Sequence, residues 1–252
     1  AVGKPDSSIV MTGTQEQDGW WRGVAFYSSN LLNEMTHVEV AYAGSSDWIF
    51  IDPAANISLD NGSRLKLTNS TIRNSGAYGL HGDGSVNLAG FASNRFRDNT
   101  DAPVNIPTAA AGYIDRVSDF NQSTEAYVRV FEQDIVDDMT IAPLAQAVPY
   151  QFHGRPTVRS DSKLTIEPGT TIEFAADAGL SIDGNGSSLV AVGKPDSSIV
   201  MTGTQEQDGW WRGVAFYSSN LLNEMTHVEI AHAGSSDWIF IDPAANISLD
   251  NG

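Results

Sequence analysis

The densest set of groups able to move a proton is "EQDIVDD", Glu132 to Asp138, with four carboxylates in seven residues. Two short stretches could assist it: "HGDG" from His81 and "FHGR" from Phe152 to Arg155, which bring imidazoles and a guanidinium. Carboxylates of this kind hydrolyse glycosides when two of them flank the scissile bond as acid and base or nucleophile. Asp137 and Asp138 are badly spaced for that on a strand, where successive side chains point to opposite faces. The segment reads as a solvated turn, and no catalytic residue is assigned.

Metal chemistry finds no better support. There is no Asp-x-Asp-x-Asp-Gly loop and no Gly-Gly-x-Gly-x-Asp nonapeptide, the two short patterns that wrap Ca²⁺ in oxygen ligands. The five histidines (His37, His81, His153, His227, His232) lack ligand spacing, and cysteine is absent, so neither a zinc site nor a disulfide framework is expected. No cofactor is expected. An excess of 31 acidic over 14 basic residues, a formal charge of −17, leaves room for weak Ca²⁺ association without a specific site. The same charge disfavours nucleic acid, whose binding needs Lys and Arg to displace counterions.

Two binding features remain. Trp20, Trp21 and Trp48 recur as Trp210, Trp211 and Trp238, and an indole with one face open can stack on a sugar ring. Adjacent tryptophans cannot both face the core of a regular strand, so Trp20 and Trp210 are the candidates for glycan stacking, against a packing role at an edge. Asn-x-Ser/Thr triplets at Asn56, Asn61, Asn69, Asn121, Asn185 and Asn246 are candidate N-glycosylation sites, all expected in turns or at strand edges.

The elements that would position these groups are strands. Apolar and polar residues alternate in "SRLKLTNSTI", "KLTIEPGTTIEF" and "HVEIAHAG", and turn residues such as "NGS", "GDG" and "DGNG" separate them. Helical periodicity is weak, and no apolar run approaches the ~18 residues that cross a bilayer, so no membrane insertion is expected here. Segments open every ~18 to 28 residues, which fits one turn of a solenoid better than an antiparallel sandwich. Ile172, Val200, Val214, Val228 and Leu65 are the expected core. Asn94 and Asn99, five apart like Asn69 and Asn74, suggest stacked asparagines that bond the backbone of the next turn.

The organisation is dominated by a duplication. Residues 1–62 align without a gap on residues 191–252, and only two of the 62 positions differ, Val40 against Ile230 and Tyr42 against His232. The repeat period is 190 residues. The chain therefore divides into copy 1 (1–62), the remainder of the unit (63–190) and copy 2 (191–252), expected as one continuous solenoid with uncapped ends. Both ends fall within a repeat, as in a window on a longer tandem array.

"LTIEPGTTIEF" (Leu164 to Phe174), "LVAVGKPDSSIVMTG" (Leu189 to Gly203), "GWWRGVAFYSS", "MTHVEIAHAG", "LTNSTIRNSGAYGL" and "NRFRDN" follow one another in a pattern that resembles the right-handed parallel β-helix, or pectin-lyase-like, segments of large secreted and surface proteins of prokaryotes. The resemblance implies an all-β solenoid of roughly ten coils. It does not extend to catalysis: the chain lacks the Asn-Thr-Asp, Asp-Asp, Gly-His-Gly and Arg-Ile-Lys series of pectin-type hydrolases. The expectation is a non-catalytic repeat module of an extracellular fibre, stalk or surface adhesin, whose partners are further copies of itself, in tandem or end to end, and surface polysaccharide. The alternative is a β-helix that binds or degrades polysaccharide.

Overall fold

The computed structural model describes residues 1–250. The fold is all-β, and every pairing between its named strands is parallel. The antiparallel bridges are tight turns, at Lys4–Ser7 and Trp48–Ile51 and at their copies Lys194–Ser197 and Trp238–Ile241. Two compact units divide the chain: residues 1–129 with 144–148, and residues 130–143 with 149–252. Copy 1 lies wholly in the first unit and copy 2 wholly in the second.

In the second unit successive strands visit three sheets in strict rotation. One sheet runs Met139–Ile141, Lys163–Ile166, Ser188–Val192, Glu224–Thr226; the next runs Tyr150–His153, Thr171–Phe174, Ile199–Gly203, Val228–Ile230; the third runs Thr157–Val158, Gly179–Asp183, Gly213–Tyr217, Ile247–Leu249. Each strand thus pairs with the one three places later. The first unit repeats the plan with Ile9–Thr12, Val38–Ala41, Thr71–Arg73, Arg95–Arg97 and Asp119–Gln122 in one sheet, and Val24–Phe26, Ala55–Leu59, Tyr78–Gly82 and Val104–Pro107 in another. Its third sheet pairs Glu34–Thr36 with Lys66–Thr68 and continues through bridges to Asn87 and Ala92.

Alternation decides which side chains turn inward. In Thr171–Phe174, Ile172 and Phe174 are buried while Thr171 and Glu173 face outward. The expected core is correct at Leu65, Ile172 and Val214, each buried completely. It is wrong at Val200, where Ile199 and Met201 point inward instead; in a run of three apolar residues the period-two rule does not choose the phase, and a slip of one inverts every side chain. Val228 is half-buried, whereas Val38 at the same place in copy 1 is buried. Aromatic side chains stack across the interior: Phe96 on Phe120 at 5.4 Å, and Phe174 on Trp211 at 4.0 Å with rings 2° apart.

The step from a strand to its neighbour varies. Tyr150 lies beside Ile172, Thr71 beside Arg95 and Lys163 beside Ser188, steps of 22, 24 and 25 residues. In the duplicated stretch Glu34 lies beside Lys66, Val24 beside Ile57 and Gly179 beside Gly213, steps of 32, 33 and 34. The surplus sits in the turns around "TQEQDGWW", "SSNLLN" and "SSDWIFID".

Corners between sheets are built from single residues in the left-handed region. His37, Asn69 and Ser93 form one column, with φ of 49°, 51° and 57°; Tyr42, Asn74 and Asp98 form another, at 59°, 53° and 49°. Asn and Asp adopt this conformation at low cost, which accounts for Asn69, Asn74 and Asp98. The residue after each corner points inward. There the asparagine ladder does form, one residue out of the expected register. Asn94 sits over Ser70, its Oδ1 accepting from Ser70 N at 3.1 Å and its amide donating to the Leu67 carbonyl at 2.9 Å. Asn99 sits over Ser75 in the same way, accepting at 3.2 Å and donating to the Ile72 carbonyl at 3.3 Å. Asn69 and Asn74 turn the chain and Asn94 and Asn99 staple it.

Candidate functional site

A depression lies in the second unit, a groove of about 570 Å³ on the outer face of the sheet containing Gly179–Asp183 and Gly213–Tyr217. Its floor carries Thr157 and Ser181, whose hydroxyls meet at 2.9 Å, with Asp183 beside Tyr217 by strand register. One wall is the turn Trp238–Ile239–Phe240; the other holds Glu132, Arg155 and Arg159. Asp250 and Arg212 complete a lining of three carboxylates and three guanidiniums.

The turn is held from several sides. Tyr217 Oη donates to the Ile239 carbonyl at 2.6 Å, and Arg212 Nη1 donates to the Asp237 carbonyl at 3.2 Å. The Arg212 guanidinium lies 5.8 Å from the centre of the Trp238 ring, and its Nε donates to Asp177 Oδ1 at 3.0 Å. Asp177 also accepts from Ser236 Oγ at 2.9 Å, tying the turn to a preceding strand connection. These bonds, led by the one from Arg212, hold the Asp177 carboxyl below its usual range. Burial pushes the Tyr217 phenol up, with the charges of Asp250 and Asp183 adding to it, so the hydroxyl stays a donor. The edge of the Trp238 ring crosses Gly179, where a Cβ would lie 2.6 Å from Trp238 Cζ2. Copy 1 builds the same turn: Tyr27 Oη donates to the Ile49 carbonyl at 2.8 Å, and Arg22 lies 5.3 Å from the Trp48 ring centre. Both turns present an exposed Phe, Phe50 and Phe240, with φ of 67° and 66°. Ring faces, hydroxyls and guanidiniums together suit hydrogen bonding and stacking against a polyhydroxylated or anionic chain.

The carboxylates of "EQDIVDD" act as struts in this unit. Glu132 Oε2 accepts from Arg155 N at 2.8 Å, Asp134 Oδ1 from Thr157 N at 3.2 Å and Asp138 Oδ1 from Lys163 N at 2.8 Å. Asp134 also pairs with Arg159 at 3.2 Å. Asp137 is exposed. His81 is buried in the first unit, its Nδ1 at 3.0 Å from Asn105 Nδ2, and burial holds its pKa below the ordinary imidazole value. Among the described residues no three His, Asp or Glu side chains converge as metal ligands, and no helix is long and apolar enough to cross a membrane.

Trp20 and Trp210, the residues singled out for glycan stacking, close their own loops. Trp210 Nε1 donates to Thr204 Oγ1 at 2.9 Å and the ring covers Gly203; Trp20 does the same with Thr14 and Gly13. Trp211 is fully buried and Trp21 half-buried. The aromatics of the groove are Tyr217, Trp238 and Phe240, of which only Trp238 stood out in the sequence; loop side chains follow no periodicity that would place them.

The six sequons separate into two groups. Asn56 does not lie in a turn or at a strand edge: it is buried within Ala55–Leu59, accepting from Ala43 N at 2.9 Å and donating to the Arg73 carbonyl at 2.8 Å. Asn61, Asn69, Asn121, Asn185 and Asn246 are exposed.

No protein-family model matches this chain, and no curated protein and no solved structure matches it either. The class stands on its own features: an all-β chain of two parallel three-sheet units that share one duplicated 62-residue stretch.

Proposed function

We propose that the chain is a stretch of right-handed parallel β-helix from a tandem array, serving as a structural repeat of an extracellular fibre, stalk or surface adhesin. One observation carries this reading. The same 62 residues bury opposite sides in the two copies: Ile9 and Met11 are half-buried where Ile199 and Met201 are buried, while Ile57 and Leu59 are buried where Ile247 and Leu249 are 44% and 69% exposed. Every strand of the repeat is thus suited to a neighbour on both sides, which is what an array of stacked coils demands and a single catalytic groove does not. Steps of 22 to 34 residues give about seven coils per 190-residue repeat. At ~4.8 Å per coil each repeat lengthens the particle by ~34 Å. Its partners in this reading are further copies of itself, in tandem or end to end, outside the cell or on its surface, with weak Ca²⁺ association at most. Glycosylation in this reading falls on Asn61, Asn69, Asn121 and Asn185, which are exposed, because Asn246 is the counterpart of the buried Asn56 and the next coil would cover it.

Electron microscopy of chains carrying one, two and three added repeats tests it. Particle length should rise in equal increments near that value; constant length with growing width refutes it. Polysaccharide turnover abolished by changing Asp137 or Asp138 would also overturn the non-catalytic assignment. A second reading, a polysaccharide-binding β-helix, is favoured by the aromatic and arginine lining of the groove. Glycan-array binding lost in Arg155→Ala, with the fold intact, is its signature.

A further inference from the structure

The dipeptide Asn-Gly occurs at Asn61–Gly62, Asn185–Gly186 and Asn251–Gly252, the last of which lies outside the described residues. The pair has a chemistry of its own. With no Cβ on glycine to obstruct it, the glycine nitrogen can reach the preceding side-chain carbonyl carbon and close a succinimide ring. The fold treats the two described pairs in opposite ways. Gly62 N donates to the Ser85 carbonyl at 2.8 Å and Asn61 Oδ1 accepts from Ser85 N at 2.8 Å, so nucleophile and electrophile are both held by the following strand connection. Gly186 is exposed, and its N–H has no hydrogen-bond partner among the described residues.

Three strand connections converge on Asn185. Register sets Lys163 beside Ser188 and Asp183 beside Tyr217, which stacks the turn holding Asp161 on one side of Asn185 and the loop holding Ser219 on the other. Ser219 Oγ donates to Asn185 Oδ1 at 3.1 Å, and Asn220 Nδ2 donates to the Gly186 carbonyl at 2.7 Å. From the opposite side the Asp161 carboxylate covers Gly186 so closely that a Cβ there would collide with its Oδ1.

We infer that Asn185 is a self-modifying site, at which the chain's own groups drive succinimide formation and deamidation. The Asp161 carboxylate takes the proton of Gly186 N as that nitrogen attacks Asn185 Cγ. The Ser219 hydroxyl supports the charge that gathers on Oδ1 in the tetrahedral intermediate. The proton passes to the side-chain nitrogen, which leaves as ammonia when the Cγ–Nδ2 bond breaks. Water then opens the ring at either carbonyl. The product is an aspartate or isoaspartate with one added negative charge, and isoaspartate also lengthens the main chain by a methylene. Asn185 is a sequon as well, and a glycan on its amide nitrogen would remove that leaving group, so the two modifications exclude each other at this residue.

The test incubates the intact, unglycosylated chain in mildly alkaline water enriched in heavy oxygen and maps its peptides by mass. Isotope uptake at Asn185 should run at least about 10-fold faster than at Asn61, as expected where reacting groups are held in place. Asp161→Asn and Ser219→Ala should each slow uptake at Asn185 about 10-fold, with hydrogen exchange at Gly179–Asp183 unchanged. In urea the two sites should become equal, because both read Asn-Gly-Ser and only the fold distinguishes them. Equal rates in the folded chain, a difference that survives urea, or an Asn185 rate indifferent to both substitutions overturns the inference.

Discussion

Trp21 and Trp211 are one residue in one local sequence, met in two surroundings, and replacing each with alanine isolates what a neighbouring strand contributes. Trp211 is fully buried, stacked on Phe174 at 4.0 Å and donating from Nε1 to the Ala231 carbonyl at 2.8 Å. Trp21 keeps the equivalent hydrogen bond, to the Ala41 carbonyl at 2.8 Å, but is only half-buried. Truncating a buried tryptophan costs ~3–5 kcal/mol through lost transfer energy and the cavity left behind, of which an aromatic pair accounts for ~0.5–1.5 kcal/mol. The hydrogen bond, ~1 kcal/mol, is common to both sites and cancels in the comparison. With roughly half the area removed from water and no stacked ring, Trp21→Ala should cost ~1.5–2.5 kcal/mol. Two compact units need not unfold together, so the measurement is hydrogen exchange against urea, read on Gly213–Tyr217 and on Val24–Phe26 separately. Equal losses, or a larger loss at Trp21, would refute the reasoning.

Asn99→Ala should destabilise the first unit by ~2–4 kcal/mol, because it orphans the buried Ser75 N–H and the Ile72 carbonyl; exchange at Thr71–Arg73 reports it. Leu59→Ala should cost ~2–5 kcal/mol, while Leu249→Ala, at a side chain 69% exposed, should cost under ~1 kcal/mol in the same assay. Gly203→Ala would set a Cβ 2.7 Å from Trp210 Cδ1, displacing the indole and breaking its bond to Thr204; a red-shifted emission and a loss of ~1–3 kcal/mol are expected. His81 is held neutral by burial, so its contribution is complete above the ordinary imidazole value and is lost as pH falls from there toward the depressed value in the fold. Melting temperature should therefore drop between pH 7 and 5.5, and His81→Gln should flatten that drop.

The alternation of "KLTI" and "TIEF" with bracketing turns made the strands readable, and the gapless duplication made the repeat readable without any structure. Phase was readable only where polar residues mark it: Glu173 declares which side of Thr171–Phe174 is wet, whereas "SIVMTG" offers Ile199, Val200 and Met201 in succession. The asparagine spacing of five was a true signal whose meaning divided in two. Asn69 and Asn74 are corners because Asn tolerates positive φ, and Asn94 and Asn99 face inward because a buried amide can satisfy both a donor and an acceptor. Asn56 shows the cost of reading a triplet without its strand. The groove stayed hidden because its walls are turns, and Arg212, Asp177 and Tyr217 come together only once Gly179 lies beside Gly213.

The unequal steps carry a consequence for how such a sequence can change. Eight to twelve additional residues enter a lap in the duplicated stretch, yet Gly179 to Asp183 still match Gly213 to Tyr217 one for one. The interior is blind to what is spliced in at the bends. Selection can therefore enlarge, swap or recharge those outer excursions at will while the inner lattice keeps its spacing.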